Sequence, residues 1–211
     1  MKLLIATFNK GKLEDYKDFL KDAAIEIVSL KDAGVTKDFN EIFNTMEANA
    51  KGKAEFYNKA SGLPTLADDS GIEIPFYNMQ PGVHTKRWGG HSSDSDEYRK
   101  FILEKVKAIP EHERQAQLRA VLAFADGHET ILEEGIIKGD LSDKPYTTSR
   151  TQGYPWDQLF IIPEIHKYYE ELTPEENHKH NHRKLAFDKL KERILKYGKS
   201  AESGSARAAA Q

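Results

Sequence analysis

A chain of 211 residues, 38% hydrophobic and 10% aromatic, is long enough for one sizeable domain or two lobes on a shared core and is not composed like a disordered protein. Its net charge of −3 offers no general attraction to nucleic acid or to a membrane surface, so an anionic ligand has to be drawn by a local cluster of basic residues and metal. Cysteine is absent, which removes disulfides, Cys-ligated zinc and thiol nucleophiles. No run reaches transmembrane length, and the apolar N-terminus meets Asn9 and Lys10 too soon for a signal peptide, so the chain reads as a soluble cytoplasmic protein.

The pattern opens as βαβ. Leu3 to Ala6 reads as a buried strand, Leu13, Tyr16 and Leu20 share one face of a helix, and Ile25 to Leu30 alternates as a second strand. The turn Thr7-Phe8-Asn9-Lys10-Gly11-Lys12 brings hydroxyl, amide and ammonium groups to a helix N-terminus, where free N–H groups and the helix dipole attract phosphate. Taken alone the string also reads as a plain polar strand-to-helix turn, and it lacks the glycines of a Walker loop or a dinucleotide fingerprint. Asn44 or Thr45 caps a further helix through Ala50, Ala54 and Tyr57 to about Lys59, and Gly62-Leu63-Pro64 breaks into the strand Thr65-Leu66-Ala67.

That strand is expected to end at Asp68-Asp69-Ser70-Gly71. Two adjacent carboxylates suit a hard divalent cation, one holding the ion while the other orients or deprotonates a water; a simple Asx turn is the alternative. Glu41 is a candidate third carboxylate, otherwise a solvated loop residue. Pro81-Gly82 makes a rigid turn ahead of Arg87, which either reaches a phosphate or pairs with a surface acid.

Asp94 begins a helix containing Phe101, Ile102 and Val106, and the strands Ala116–Ala125 and Thr130–Lys138 meet at Asp126-Gly127 as an antiparallel hairpin. Beyond a turn-rich loop from Gly139 to Gly153, the run Gly153-Tyr154-Pro155-Trp156-Asp157 sets two aromatic faces beside a carboxylate, suited to stacking a base and reading its edge, or else two core aromatics. A short strand follows at Leu159 to Ile162. Alternate spacing of His178, His180 and His182 cannot put three imidazoles on one helix face, which argues against zinc. A helix start turning His182 and Arg183 toward a ligand, with His178 and His180 in solvent, is preferred. The last helix is expected to bury Leu185, Leu190 and Ile194, and residues 200–211 hold nothing to bury and read as a disordered tail or a remnant.

Together, and in this order, Thr7-x-Asn9-x-x-Lys12, Asp68 to Gly71, Pro81-Gly82 with Arg87, Gly153 to Phe160, and Asn181-His182-Arg183 resemble the motifs of the inosine triphosphate pyrophosphatase family over residues 3 to about 197. The resemblance implies an α/β fold spanning 1–199, with an elongated mixed β-sheet, flanking helices, two lobes around a central substrate cleft, and a homodimer. It implies hydrolysis of deaminated purine nucleoside triphosphates (ITP, dITP, XTP) to the monophosphate and pyrophosphate, with Mg²⁺, or Mn²⁺ in its place, as cofactor. Glu41 and Asp69 are carried over to the magnesium, with Asp69 as general base; the carboxylate of Asp68 joins them. Substrate contacts fall on Thr7, Asn9, Lys12, Ser70, Arg87, Tyr154, Trp156, Asp157, His182 and Arg183.

A 6-oxo purine shows an acceptor at O6 and a donor at N1, which suit Arg183 or His182 and Asp157 respectively, and adenine shows the reverse. Three positions depart from the family pattern: Ala48 where an acid is expected, Asn177 in place of a lysine, and Pro155 in place of a glycine. They bear on rate and substrate preference, and leave open a pyrophosphatase for another modified or pyrimidine nucleotide, or a weakened nucleotide-binding module.

Overall fold

The computed structural model describes residues 1–146 and 154–208, with side chains as far as Lys199. In chain order the elements are β1 (Lys2–Ile5), α1 (Lys10–Phe19), β2 (Glu26–Ser29), α2 (Met46–Ser61), β3 (Thr65–Ile74), β4 (Gln80–Pro81), α3 (Asp96–Lys107), β5 (Gln115–Ala125), β6 (Thr130–Leu141), β7 (Phe160–Ile162), β8 (Lys167–Tyr168), α4 (Pro174–Lys179) and α5 (His182–Ala208). The strands form one open mixed sheet in the order β2-β1-β3-β5-β6-β7-β8, with β4 paired to β3, and helices flank it. This is the mixed α/β architecture expected from the motifs. β1 is parallel to β2, with Leu3 opposite Ile27, and parallel to β3, with Ile5 opposite Leu66. Strands in such central parallel positions are covered on both faces, and Leu3, Leu4 and Ile5 are accordingly buried as an unbroken apolar run.

Two compact units divide the chain. The first comprises 1–69, 121–135 and 183–211; the second comprises 70–120 and 136–182. In the first, Tyr16, Phe19 and Phe187 pack ring against ring at 5.7 to 6.3 Å, joining α1 to α5. The apolar stripe of α5 is therefore Ala186, Phe187, Leu190 and Ile194. Leu185, expected inside, is exposed, because it lies a quarter-turn or more off the line through Phe187, Leu190 and Ile194. The second unit buries Ile72, Ile74, Tyr98, Ile102, Val106, Leu118, Trp156 and Phe160 in one cluster.

Several boundaries differ from the sequence expectation, three of them outside the site by more than one residue. α3 begins at Asp96 because Ser95, not Asp94, caps it by accepting the Tyr98 N–H. β6 continues through Gly139 to Leu141, since a Cβ at Gly139 would strike the Ile161 carbonyl and the close approach of β7 needs the glycine. α5 runs to Ala208, through most of the segment read as a disordered tail; that segment is rich in alanine, the best helix former, and has no proline to stop the helix. Among the described residues no helix is long and apolar enough to cross a membrane.

Candidate active site

The site is assembled from five pieces of the first unit: the turn into α1 with its first residues, the segment 38–43 before α2, the face of α2, the first half of β3, and Arg183 of α5. Contrary to the sequence expectation, Asp68 and Asp69 do not terminate a strand. β3 runs without interruption from Thr65 to Ile74, and the two carboxylates are only 2% and 7% exposed within it. A charge buried in a strand has to be answered by a partner; Asp68 is ion-paired and Asp69 is hydrogen-bonded.

Asp68 lies 2.8 Å from the ammonium of Lys12 and 3.4 Å from Nε of Arg183, both of them buried. Burial alone raises a carboxyl pKa, but here Lys12, Arg183 and Lys53 outweigh it and hold Asp68 far below the usual carboxylate range. Arg183, the second residue of α5, also approaches Asp15 at 3.6 Å. Burial pushes Asp15 up, against Arg183 and with the help of the Asp68 charge.

Asp69 is treated differently. Its Oδ2 accepts a 3.0 Å hydrogen bond from Asn49, and its pKa is raised, first by burial and further by the charge of Glu41, with Lys53 and Lys12 opposing. Two adjacent residues of one strand are thus set apart, Asp68 an ion-paired carboxylate held in its charged form well below the usual range and Asp69 a carboxylate with heightened proton affinity. Environments that push neighbouring acids apart in this way are how acid and base roles become separated.

Lys53 is the cation between the carboxylates. Its ammonium is 2.6 Å from Glu41 Oε1 and donates to the Asp68 carbonyl at 2.9 Å. Burial disfavours its charge, yet Asp69, Glu41 and Asp68 together raise its pKa. Lys53 and Asn49 were not among the residues singled out by sequence. The signal available was the spacing Asn49, Lys53, Tyr57, which recurs every four residues and lines one face of α2. Each grips the segment ahead of the helix: Asn49 at Phe43, Lys53 at Glu41, and Tyr57 at Asp38 and Phe39.

Thr7 and Asn9 form the turn into α1 as expected, with an added structural duty: Thr7 Oγ1 accepts the Asn9 N–H, and Asn9 Oδ1 caps the helix by accepting the Lys12 N–H. Ala48, at the position lacking the family's acid, is half-buried and donates its N–H to the cap residue Thr45.

The remaining expected residues belong to the second unit, Ser70 following Asp69 in β3. Gly71 has no room for a side chain, because a Cβ would meet the Gly82 carbonyl and the Thr85 hydroxyl. Thr85 in turn accepts the Ile72 N–H at 3.0 Å, fixing the Pro81-Gly82 turn against β3 and leaving Arg87 exposed beyond it. Trp156 is a core residue, not an open stacking face: it is 4% exposed, packs 6.0 Å from Trp88, and donates its indole N–H to Tyr98 Oη, which donates to the Thr85 carbonyl. Burial pushes the Tyr98 phenol up to about 12, so it stays a neutral donor. Tyr154 and Asp157 are half-buried in the same loop, whose first residue, Gly153, lies outside the described residues. His182 opens α5, buried and 6.2 Å from the ring of Tyr169. His178 and His180 are half-buried rather than in solvent, and Asn177 accepts a hydrogen bond from Asn181.

Comparison with known proteins agrees with the motifs. A sequence model described as the Ham1 family matches residues 3–193. A dITP/XTP pyrophosphatase from Caldanaerobacter subterraneus is 34% identical over 197 residues, covering 93% of this chain and 97% of its own. Among solved structures, a HAM1 protein from Coxiella burnetii superposes with a TM-score of 0.81 at 28% identity, covering 93% of this chain and 99% of that one. The Ham1 protein of Staphylococcus aureus gives 0.78 at 28% identity, covering 92% and 98%.

Proposed function

The chain belongs to the Ham1 family, and on that premise we propose that it is a nucleoside triphosphate pyrophosphatase that removes deaminated purine nucleotides such as dITP, ITP and XTP from the nucleotide pool. The observation that carries the chemistry is the split between Asp68 and Asp69. Asp68 is consumed by Lys12 and Arg183, and Asp69, held by Asn49, is the carboxylate with raised proton affinity. In this reading Asp69 takes a proton from water as the water oxygen bonds to the α-phosphorus and the bond from that phosphorus to its bridging oxygen breaks. The products are the monophosphate and pyrophosphate. Lys12, Lys53 and the N-terminus of α1 lower the cost of charge on the phosphate oxygens.

The family implies a divalent metal, and the donor set suits one. Magnesium takes oxygen ligands, commonly one or two carboxylates with substrate phosphates completing the set. Among the described residues no three His, Cys, Asp or Glu side chains converge as a ligand group, so a two-carboxylate site is the one that fits. Glu41 and Asp69 would hold the ion, proposed as Mg²⁺; Glu41 faces one cation, Lys53, whereas Asp68 faces two and is left out. When bound, the ion supplies charge neutralisation for the phosphates.

Base preference is assigned to hydrogen-bond polarity, with His182 donating to O6 and Asp157 accepting from N1–H. Leaving both unpaired against adenine discriminates by roughly 10⁴ where a site is built for the pairing. The homodimer belongs to the same reading and is checked by sedimentation velocity. The decisive assay is pyrophosphate release with Mg²⁺ over dITP, ITP, XTP, GTP, ATP and dUTP. Preference for dITP and XTP over ATP supports the reading; equal rates on ITP and ATP end the base argument, preference for dUTP indicates a pyrimidine enzyme, and binding without release indicates a weakened module.

A further inference from the structure

We propose that Asn49 is a positioning residue for the reaction, fixing the orientation of the Asp69 carboxylate and tying it to the segment that carries Glu41; this rests on Asp69 being the general base. Asn49 is fully buried in the second turn of α2. Its Nδ2 donates to Asp69 Oδ2 at 3.0 Å and to the Phe43 carbonyl at 3.1 Å, and its Oδ1 accepts the Phe43 N–H at 3.2 Å. Both donors and the acceptor are therefore engaged.

The amide has only one workable orientation. Turning it over would set its oxygen against both the Asp69 carboxylate and the Phe43 carbonyl, and its NH₂ against the Phe43 N–H, three like-against-like contacts in a dry environment. The two-point pairing with Phe43 locks the amide plane, so the bond to Asp69 is aimed rather than merely available. The χ2 of a carboxylate is broad, and a hydrogen bond to one oxygen narrows it. Asn49 ties Oδ2. Glu41, two residues before Phe43, moves with the same anchor.

A buried, fully bonded asparagine can be scaffold and nothing more, so the test has to separate the two roles. Tyr57 provides the control: its hydroxyl donates to Asp38 at 2.8 Å and accepts the Phe39 N–H at 3.0 Å, anchoring the other end of the same segment. Its hydroxyl bonds Asp38 and Phe39, not Asp69. Misplacing a reacting group by about 1 Å costs on the order of 10²-fold.

Asn49→Ala, Asp69→Asn, the double variant and Tyr57→Phe are compared by kcat on dITP, by calorimetric Kd for a non-hydrolysable dITP analogue, and by thermal unfolding. Positioning requires that Asn49→Ala lower kcat about tenfold to a hundredfold with Kd within about threefold. In the Asp69→Asn background the same change should lower the residual rate by less than about threefold, since groups acting as a unit are non-additive. Tyr57→Phe should lower kcat much less than Asn49→Ala.

Equal fold losses in both backgrounds, a loss expressed in Kd with kcat unchanged, or Tyr57→Phe matching Asn49→Ala would each overturn the proposal. Should Asn49→Ala not fold, Asn49→Ser takes its place; if neither folds while the other variants do, Asn49 is scaffold and the proposal falls. A parent enzyme releasing no pyrophosphate from any triphosphate overturns the functional reading and this inference together, whereas an active parent with an additive cycle overturns this inference alone.

Discussion

The first half of β3 buries Asp68 and Asp69 and the second half buries Ile72 and Ile74, so one strand of ten residues carries two kinds of interior. Around the aspartates every neighbour has to answer a charge: Lys12 and Arg183 for Asp68, Asn49 for Asp69, Lys53 for Glu41. Around the isoleucines the neighbours need only fill volume, and Ile102, Val106, Phe160 and the ring of Tyr98 do so. The apolar half is tolerant of chemistry and intolerant of voids. The charged half is the reverse, since a deleted partner leaves an unpaired group where water cannot reach it.

The comparison is put under most strain by Asp69→Asn. The amide preserves shape but cannot take a proton, and a general base is worth about 10²–10⁴ in rate, so kcat on dITP should fall by that factor while thermal unfolding stays close to the parent. Turnover within a few-fold of the parent would remove Asp69 from the chemistry and make the charged half a structural device like its neighbour.

Lys12→Met probes the other aspartate. Removing one partner of a buried pair costs about 3–5 kcal/mol, and the retained contact of Arg183 with Asp68 places this variant at the low end of that range. Urea unfolding measures it, and the same variant should slow all triphosphates alike, because a phosphate contact carries no information about the base. A stability loss below about 0.5 kcal/mol, the scale of an exposed pair, would mean that the Lys12–Asp68 pair is not buried in solution.

Acid titration of stability sharpens the same point. Asp68 has a folded-state pKa below its unfolded value of about 3.9, so its contribution is present above pH 4 and is lost as pH falls toward the folded-state value. Unfolding free energy should decline below about pH 4, and the decline should be shallower in Lys12→Met, which removes the chief opponent of the burial cost. An unchanged acid limb in the variant would deny the pair its electrostatic role.

The smallest effect belongs to the apolar half. Ile102→Val removes one buried methylene and should cost about 0.5–1.5 kcal/mol, with kcat per folded molecule unaltered. A change in kcat beyond about twofold would show that packing in the second unit reaches the chemistry.

The placement of particular residues shows where sequence reading succeeds and stops. Thr7, Asn9 and Lys12 were legible because a strand, a cap and a helix start are local events whose signals lie within a few positions of one another. The capped turn into α1 follows from them directly. Lys53 and Asn49 were missed because a polar residue on a helix carries no mark of being buried; only the segment 38–43 folding back on α2 gives them partners. Trp156 was expected to stack on a ligand, with a core aromatic as the alternative, and its burial is decided by Trp88 and Tyr98, residues distant in sequence.

By itself the sequence determined the βαβ opening, the β5–β6 hairpin and the family motifs, and it singled out most of the charged residues that cluster around Asp68 and Asp69. All of these rest on period, spacing and side-chain type, which are properties of short segments. Only the tertiary structure decided that β3 continues through its two aspartates, that Phe187 rather than Leu185 faces inward, and that Asp68 and Asp69 meet different partners. The physical reason is common to all three. Whether a carboxylate can lie in a buried strand, which stripe of a helix is covered, and which way a pKa moves are set by what arrives alongside from elsewhere in the chain, here Lys12 from α1, Asn49 and Lys53 from α2, and Arg183 from α5.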